Sequence, residues 1–398
     1  MSTILVLAPY VPHPPTHGGS MRSRVLLEAL CADHEVHLVV PIGGPQPRLA
    51  AQALARALPL QVHEAPVPAE PRPDFARKLL SWARGRSELL QRRWGERAGP
   101  VIAGLAAKVR PDLLVADSTF VWPVVPRASA PLLLHLHNLE SSVFARGDAS
   151  QRSFAERLTR QFEARTIAAA EREAIQRAAL TITVSEVDRD LALAMVASAN
   201  VVSVPNSIDL ARLPLLSPPP AGPLRLLFVG TLDYPPNHEA VVELVTQHVP
   251  ELRRAFPGLV VRIVGRDDAG RLAEFAGVEG VEAVGPVDDL LPHYECSHAV
   301  YLPIRSGGGT RIKILEAWAY GRPVLSTGIG AEALAGKEGE HWRRFESPGQ
   351  GVDVLREVVG GQGPLLVAAA RVLVEARYSN AAAILRLREV VGGMVGRR

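Results

Sequence analysis

Arg305–Val324 reads RSGGGTRIKILEAWAYGRPV, and this stretch decides the fold that we expect. It follows an apolar segment, AVYLP, which is typical of a buried strand, and it ends in an apolar run that is typical of a helix. Glycines let the backbone approach a ligand without a Cβ in the way, and a helix start offers free N–H groups and a partial positive charge. The pattern therefore predicts a phosphate site at a strand–loop–helix junction.

Charged side chains at the start of this helix support the phosphate prediction. Arg311 and Lys313 lie in the first turn, where cations are unfavourable unless an anion binds there. Both could donate charge-assisted hydrogen bonds to a diphosphate. Glu316 follows on the same helix face as Lys313, and its carboxylate could accept hydrogen bonds from the two hydroxyls of a ribose. The alternative interpretation is a loop that enters a helix, with an exposed Lys–Glu pair.

The composition limits the classes of protein that need to be considered. A chain of 398 residues, 47% of them hydrophobic, is long enough for two domains with large cores. The net charge of +3 is too small for a nucleic-acid surface, so we expect no nucleic-acid partner. The two cysteines, Cys31 and Cys296, have no CxxC spacing, which argues against a disulfide framework or a zinc site and favours a reducing cytoplasm.

The N-terminus and the apolar windows give no sign of a targeting or spanning segment. The first residues, MSTILVLAPYVPHPP, lack a basic region and are interpreted as a first strand rather than a signal peptide. No uncharged apolar window is long enough to predict a membrane span.

Short apolar segments alternate with helical patterns along the whole chain. One alternation runs from ILVLA (4–8) to VVSVP (201–205), and a second begins at LRLLFVG (224–230), after the proline-rich stretch PLLSPPPAGP. Two such alternations predict the α/β class, with two doubly wound, Rossmann-like domains that bind ligands at the carboxyl ends of their strands. A long segment rich in Ala, Arg and Leu, residues 366–392, predicts a final helix.

Several motifs resemble those of glycosyltransferases of the GT-B fold, family 4 type. They include GGGTRIKILEAWAYGRPVLST, LLFVGTLDYPPNHEAV, APYVPHPPTHGGSMR, HLHNLESSVFAR, ITVSEVDRDL, SVPNSIDL and VEGVEAVGPVDDLLPHY. Their joint order over nearly the whole chain is more specific than any single motif. The resemblance implies two Rossmann-like domains that face each other across a cleft, a nucleotide-diphosphate sugar as donor, retention at the anomeric carbon, and no metal or other cofactor.

The resemblance also assigns the domains. We expect an N-terminal acceptor domain over residues 1–213, a stiff linker over 214–223 and a C-terminal donor domain over 224–375. The last segment, 376–398, would form a helix that packs back toward the N-terminal domain.

Donor contacts are implied on both domains. Glu316 would bind the donor ribose, and the region of Asp289 and Leu290 would contact the base, unless Asp289 only caps a helix. Gly18 and Gly19 would approach the donor phosphates from the N-terminal side. Further donor contacts are predicted at Gly230, Thr231, Asn237, Gly308, Gly309 and Thr310.

His137 is the predicted residue nearest to the reacting sugar. By the resemblance it is a positioning donor or an acid/base group; the alternative is a core or loop histidine with a satisfied hydrogen bond. Asn138 and Glu140 follow it and are predicted to bind the acceptor, although Glu140 could instead only order the loop.

The sequence departs from the family pattern in two places. The common motif has two glutamates separated by seven residues, but the position eight residues before Glu316 is Gly308. The usual Arg and Lys after the first strand of the donor domain are also missing, since that loop reads GTLDYPPNHEA. We therefore assign neutralisation of the diphosphate to Arg311 and Lys313, as catalytic cations for the leaving group, with a contribution from Arg266.

Two further motifs have alternative interpretations. Asp188-Arg189-Asp190 spells the D-x-D of metal-dependent transferases, but it falls in a first helical turn after Ser185, where acids stabilise the helix. Residues 77–99 are basic and amphipathic. They could rest on anionic lipid, which suits a lipid-linked acceptor, or form a solvated helix that packs its Leu and Trp inward. We expect a cytoplasmic protein, peripheral at the inner face of the membrane if this segment binds lipid.

Taken together, the motifs predict a retaining, metal-independent hexosyltransferase. Its acceptor would be a glycan, a lipid-linked molecule or a small molecule. Same-face attack by the acceptor is favoured, because no carboxylate is clearly placed for double displacement. One alternative is a GT-B sugar-nucleotide epimerase, which needs further acid/base carboxylates and no acceptor. The other is a non-catalytic protein that binds a nucleotide sugar without turnover.

Overall fold

The computed structural model describes residues 1–67, 81, 85–92, 94, 97–146, 154–307 and 310–395. The chain divides into two compact units. The first contains Met1–Ser207 with Ala381–Arg398, and the second contains Ile208–Gly307 with Arg311–Asn380.

The first unit is built on a seven-stranded parallel sheet in the order β3-β2-β1-β4-β5-β6-β7. The strands are β1 (Thr3–Leu7), β2 (Glu35–Pro41), β3 (Leu60–Ala65), β4 (Leu113–Asp117), β5 (Leu132–His135), β6 (Leu180–Thr183) and β7 (Val201–Ser203). Alternate residues of β1 enter different cores, with Ile4 and Val6 in one and Leu5 and Leu7 in the other. Because both faces are covered, the strands have the continuous apolar sequences that are typical of parallel sheets.

Helices cover both faces of this sheet. They are α1 (Gly18–Cys31), α2 (Pro45–Ala57), α3 (Glu88–Gln91), α4 (Ala98–Val109), α5 (Glu140–Arg146), α6 (Phe154–Arg177) and α7 (Glu186–Met195), and a 3-10 segment, Thr119–Val124, follows β4. Ser185 caps α7, since its Oγ accepts a hydrogen bond from the Asp188 backbone N–H at 3.1 Å. Asp188 is buried and in turn accepts from Ser185 Oγ at 2.6 Å, so its D-x-D motif has the structural role that was predicted.

The second unit has a six-stranded parallel sheet in the order β10-β9-β8-β11-β12-β13. The strands are β8 (Arg225–Val229), β9 (Val260–Val264), β10 (Val281–Gly285), β11 (Ala299–Leu302), β12 (Val324–Ser326) and β13 (Arg343–Arg344). The helices are α8 (Pro235–Glu243), α9 (Val249–Ala255), α10 (Leu291–Glu295), α11 (Ile312–Ala319), α12 (Gly328–Ala331), α13 (Pro348–Glu357) and α14 (Gly363–Arg377). Two parallel sheets confirm the predicted α/β class.

The proline-rich residues 214–223 form neither helix nor strand. Their own backbone groups form hydrogen bonds with Tyr320 and Arg322 of the second unit. Leu216 N donates to Tyr320 O at 3.1 Å, and Arg322 Nη2 donates to Ser217 O at 2.9 Å.

The end of the chain corrects one prediction, because the single helix expected over 366–392 is two helices. A break at Tyr378 separates α14 from α15 (Asn380–Val395). The break has a physical cause, since the backbone on either side of Ser379 pairs with Ile208. Ile208 N donates to Tyr378 O at 2.8 Å, and Asn380 N donates to Ile208 O at 3.0 Å. Beyond the break, α15 buries Ala383, Leu387 and Val391 in a core of the first unit.

One helical stretch of the described residues, Pro348–Arg377, has the length and apolar composition of a membrane-spanning helix. It is not one straight helix, because Gly361 interrupts it with a φ of 125°. Leu355, Leu366 and Val374 lie in the core of the second unit. We interpret the stretch as two shorter helices, α13 and α14, each of which packs one face into that core.

Arg22 on α1 ties together the carboxyl ends of three neighbouring strands. This buried guanidinium donates from Nε to Leu136 O at 3.0 Å, and from Nη1 to Val204 O at 2.8 Å and to Asn206 Oδ1 at 3.2 Å. Its Nη2 donates to Thr183 O at 3.3 Å. These carbonyls lie at or just beyond the ends of β5, β6 and β7. Burial lowers the pKa of Arg22 to about 10, yet leaves it a cation at neutral pH.

We expect Arg22→Met to lower the free energy of unfolding of the first unit by about 3 kcal/mol, because buried carbonyls lose their donors. Arg24→Met is the matched control on the same helix. Arg24 forms an i,i+4 ion pair with Glu28 near the surface, so the control should cost no more than about 0.5 kcal/mol. Urea unfolding followed by circular dichroism measures both. Equal losses in the two variants would contradict the role assigned to Arg22.

Candidate active site

Three polar side chains meet at the carboxyl edge of the first unit's sheet. The register of β4 and β5 places Asp117 directly opposite His135, and His137 lies two residues beyond the end of β5. One carboxylate oxygen, Asp117 Oδ1, lies 2.7 Å from His135 Nδ1 and 2.7 Å from His137 Nε2. Asp117 and His135 are fully buried, and the His137 side chain is 9% exposed. The histidine that the resemblance singled out is therefore held by a buried acid.

The protonation of this cluster follows from its environment. Burial alone would raise the pKa of Asp117, but His137 and His135 hold it well below its usual range. Burial lowers the pKa of His135 to about 3, and the positive charge of Arg22 adds to the effect. Ser23 Oγ donates to the other carboxylate oxygen, Oδ2, at 2.5 Å. Asp117 is thus an ionised acceptor, and each imidazole must donate an N–H to it.

In the neutral imidazole of His137, with Nε2 donating to Asp117, Nδ1 carries the lone pair. That nitrogen lies 3.2 Å from the hydroxyl of Tyr10. Gly19, in the first turn of α1, lies beside both groups. A Cβ on Gly19 would be 2.3 Å from the Tyr10 hydroxyl and 3.2 Å from His137 Nδ1, so only glycine fits here. The structure therefore brings Gly18 and Gly19, at the start of α1, to the same place as His137.

Asp117, His135 and His137 are residue types that bind divalent cations, and their ligand atoms lie within 4.8 Å of one another. The fit is nevertheless poor. The same three atoms are already joined by hydrogen bonds, and the charge of Arg22 acts on the same cluster. The arrangement is better suited to fixing a histidine tautomer than to holding a metal.

In the second unit, the start of α11 forms a compact polar cradle. Lys313 Nζ donates to Asn237 Oδ1 at 2.8 Å and lies 4.6 Å above the ring of Phe228. Asn237 Nδ2 donates to Thr231 O at 2.8 Å, so the loop after β8 is tied to the lysine. A Cβ on Gly230 would lie 2.6 Å from Lys313 Nζ and 2.8 Å from Asn237 Nδ2. Glycine at this position lets the ammonium and the amide lie against the backbone.

Burial changes the charge of the two predicted ionisable groups on α11. It lowers the pKa of Lys313 to about 7, helped by Arg311 and opposed by Glu316. It raises the pKa of Glu316 to about 7, opposed by Lys313. Lys313 bonds to Asn237 and is only partly exposed, so the alternative of an exposed Lys–Glu pair does not describe this helix.

The first arginine of the glycine-rich stretch is a structural clamp. Arg305 donates from Nη2 to Glu243 Oε1 at 2.9 Å and from Nη1 to Glu346 Oε2 at 2.6 Å. Glu346 also accepts from the backbone N–H of Gly328 at 3.0 Å. The positive charge of Arg305 is thereby neutralised, and the loop is fixed where it leaves β11.

Two family models match the chain. Glycosyltransferase Family 4 matches residues 17–212, and Glycosyl transferases group 1 matches residues 223–359. The chain belongs to the family 4 glycosyltransferases. The phosphatidyl-myo-inositol mannosyltransferase of Mycolicibacterium smegmatis (strain ATCC 700084 / mc(2)155) is similar to part of this glycosyltransferase. The two are 32% identical over 140 residues, which are 33% of this chain and 36% of that relative.

Solved structures show the same fold as this glycosyltransferase. Sucrose-phosphate synthase from Thermosynechococcus elongatus has a TM-score of 0.68 and 16% identity, with 100% of both chains covered. Anabaena HepE in complex with UDP and glucose has a TM-score of 0.65 and 14% identity, covering 98% of this chain and 100% of that one. These likenesses confirm the predicted two-domain GT-B fold.

Other predicted site residues of the glycosyltransferase have local partners. Arg311 is buried, and its Nη2 donates to Ser306 O at 3.1 Å. Arg266 is exposed and forms a forked pair with Asp268 at 2.8 and 2.9 Å. Asp289 accepts from the Leu291 backbone N–H at 2.9 Å, just before α10, whose N-cap position is Leu290.

The remaining predicted residues lie in loops. Asn138 Nδ2 donates to Glu140 Oε1 at 3.4 Å. Thr310 Oγ1 is buried and has no hydrogen-bond partner within the part of the chain that the structure describes. Gly308 and Gly309 lie outside the described residues, as does much of the basic segment 77–99.

Asp117, Tyr10 and Ser23 are functional candidates that the sequence reading missed. Asp117 had a usable signal, because it directly follows the buried run PDLLVA at the carboxyl edge, where parallel sheets place their polar groups. Tyr10 and Ser23 had no comparable signal, since their contact with His137 and Asp117 depends on how α1 packs.

We expect Asp117→Asn to lower kcat by about a hundredfold or more with a smaller change in KM, because the amide can donate to His137 Nε2 and favour the wrong tautomer. Asp112→Asn is the control at the opposite end of β4, where the acid accepts from Thr3 N at 3.0 Å. Steady-state kinetics across pH, with circular dichroism as a check of folding, separates the two. An unchanged kcat in a folded Asp117→Asn variant would contradict this role of Asp117.

We expect Gly230→Ala to lower the rate of sugar transfer at least about tenfold, because the new methyl group displaces the Lys313 ammonium and the Asn237 amide. The melting temperature should change little, since both side chains can move. Gly360→Ala serves as the control in the same unit, because its Cβ would meet nothing within 4 Å. If Gly230→Ala transferred sugar at the wild-type rate, the cradle would have no part in the reaction.

Proposed function

We propose that this glycosyltransferase moves a hexose from a nucleoside diphosphate sugar to an acceptor with retention of configuration and without a metal ion. The observation that carries the proposal is the cradle at the start of α11. There Lys313, Asn237 and the Cβ-free surface of Gly230 come together beside a helix N-terminus. Such a combination of free N–H groups, a cation and glycine suits a diphosphate.

The cradle would serve the departure of the nucleoside diphosphate. Negative charge develops on the leaving oxygen as the glycosidic bond to phosphate breaks. A preorganised cation stabilises that charge without reorganisation, and single donors of this kind are often worth about 3–4 kcal/mol. Lys313, with a pKa of about 7 before binding, would take up a proton as the diphosphate arrives. Glu316, on the same helix face, would accept hydrogen bonds from the ribose hydroxyls.

In the first unit, His137 would act on the sugar or the acceptor through Nδ1, the nitrogen that faces the start of α1. Asp117 is bound by two imidazoles and a serine hydroxyl, so it is not a free nucleophile for double displacement. This supports same-face attack by the acceptor as the route to retention. Asn138 and Glu140 remain proposed acceptor contacts.

The class of donor and acceptor is proposed from the relatives. Anabaena HepE has been solved with UDP and glucose, and with UDP-glucose. The mycobacterial relative is named for transfer of mannose to a phosphatidylinositol. We propose a nucleoside diphosphate hexose as donor and a glycan, lipid-linked or small-molecule acceptor, with the reaction in the cytoplasm.

The direct test is a product assay with UDP-, GDP- and TDP-sugars. Thermal stabilisation of the protein first identifies the donor that binds. NMR of the product then gives the anomeric configuration, and the assay is repeated after EDTA treatment. Retained configuration with full activity in EDTA supports the proposal. An inverted product would refute retention, and loss of activity on chelation would refute independence of a metal. An epimerised donor, or binding without turnover, would refute sugar transfer itself.

We expect Lys313→Ala and Glu316→Ala each to lower donor affinity or rate at least about tenfold, a loss of about 1.4 kcal/mol. The pH dependence has a definite sign. The diphosphate binds the ammonium form of Lys313, so wild-type donor affinity should fall as pH rises above about 7, and Lys313→Ala should lose that slope. Calorimetric titration of the nucleoside diphosphate between pH 6 and pH 9 measures both effects.

Lys337→Ala and Glu340→Ala are matched controls, because these side chains form an exposed i,i+3 pair in the same unit. Both controls should bind the donor as the wild type does. Near-wild-type affinity and rate in the two α11 variants would place the diphosphate elsewhere.

A further inference from the structure

A cavity of about 490 Å³ opens on the flank of the first unit. Its walls come from α6, from the chain between β4 and β5, and from residues 85–91. Residues 85–91 belong to the basic segment 77–99 and are described by the structure. A cavity of this size is in the range of small-molecule sites. Neither the proposed catalysis nor the matched families assign it a role.

Positive charge dominates the lining. Arg86, Arg127 and Arg177 face the cavity, with Glu173 as the acidic residue among its lining side chains. Arg86 and Arg127 are exposed, and their side chains form no ion pair with any described residue. Glu173 is engaged by Trp122 Nε1, which donates to its Oε2 at 3.3 Å. Within the part of the chain that the structure describes, these two guanidinium groups therefore have no acidic partner.

Arg177 organises the cavity wall rather than offering a free cation. Its guanidinium lies 5.2 Å from the centroid of the Trp122 ring. It also donates from Nη1 to Val125 O at 3.4 Å and from Nη2 to Pro126 O. Burial lowers the pKa of Arg177, and the positive charge of Arg127 adds to that effect. These contacts hold Arg177 against Trp122 in the cavity wall.

The part of the cavity that is lined by Arg127 and Arg177 is separate from the His137 cluster. His137 follows the carboxyl end of β5. Arg127 precedes β5, and Arg177 lies just before Leu180, the first residue of β6. Because β5 and β6 are parallel, the residues that precede them lie at the opposite edge of the sheet from His137.

We propose that this cavity binds the phosphate group of an anionic ligand through Arg86 and Arg127. The planar guanidinium fork matches phosphate oxygens and donates charge-assisted hydrogen bonds to them. Leu90 and Trp122 supply an apolar wall for the part of the ligand next to the phosphate. The phosphate could belong to a membrane phospholipid or to a soluble phosphate ester. This site is independent of the donor cradle, so it can be tested without sugar transfer.

The test uses the full chain with the double variant Arg86→Gln/Arg127→Gln. Arg172→Gln is the matched control, since this arginine is exposed on the same helix, α6, and does not line the cavity. Cosedimentation with vesicles of phosphatidylcholine, with and without phosphatidylglycerol, tests the membrane source. Calorimetric titration with glycerol 3-phosphate tests the soluble source. Transfer to a water-soluble acceptor is measured in parallel and should not change in any of the three proteins.

For the membrane source, we expect binding only to vesicles that contain phosphatidylglycerol, weakened about tenfold or more in the double variant and not in Arg172→Gln. For the soluble source, we expect glycerol 3-phosphate binding with the same dependence on the two arginines, and vesicle binding that they do not affect. The proposal is overturned if the wild type binds neither ligand. It is also overturned if the double variant binds as the wild type does, or if Arg172→Gln loses as much binding as the double variant.

Discussion

A parallel sheet that is covered by helices on both faces places the polar side chains that can meet a ligand at the carboxyl ends of its strands. Both units obey this constraint. In the first unit, Asp117 ends β4 and His135 ends β5. In the second unit, Gly230 follows β8 and Gly265 follows β9, and a Cβ on Gly265 would lie 2.0 Å from Gly230 O. Because the loops at the strand ends are packed so closely, the candidate site consists of glycines, backbone groups and a few side chains.

Burial disfavours the charged form of both ionisable groups at these edges, but their partners compensate it to different extents. Asp117 keeps its charge in the interior because two imidazoles and the Ser23 hydroxyl satisfy its oxygens. Burial lowers the pKa of Lys313 to about 7, and the charge of Arg311 adds to the effect, although its ammonium group contacts the Asn237 amide oxygen and the face of Phe228. A fully satisfied buried ion suits a permanent structural role. An under-satisfied one gains most when a ligand of opposite charge arrives, which is what a substrate site requires.

The sequence predicted the fold class and the order of the elements because hydrophobic runs and glycine-rich junctions are local signals. The Ser185 cap of α7 and the strand–loop–helix junction at the start of α11 were predicted for the same reason. The partners of the predicted residues were not, because they are distant in the chain. Asn237 precedes Lys313 by 76 residues, and neither neighbourhood indicates that the two side chains meet. The contact of Asp117 with His135 depends on the register of β4 against β5, and no local sequence pattern specifies that register.

Helix α6 illustrates the same limit and shows what holds His137 in place. Its sequence is rich in charged residues, yet two of its acids are buried and cap other helices. Glu163 accepts from Ser87 Oγ at 2.7 Å and from Glu88 N at 3.2 Å, at the start of α3. Two turns later, Glu171 accepts from Glu140 N at 2.6 Å at the start of α5.

Burial raises the pKa of Glu171 to about 7, so its carboxylate is costly to keep ionised there, and backbone N–H donors offset part of that cost. The same carboxyl group accepts from Thr119 Oγ1 at 3.5 Å, on the segment that follows β4. Glu171 therefore joins the loop after Asp117 to the loop after His137. The geometry of His137, the proposed catalytic residue, therefore depends on a helix outside the candidate site, because that helix fixes both chain segments that leave the sheet beside it.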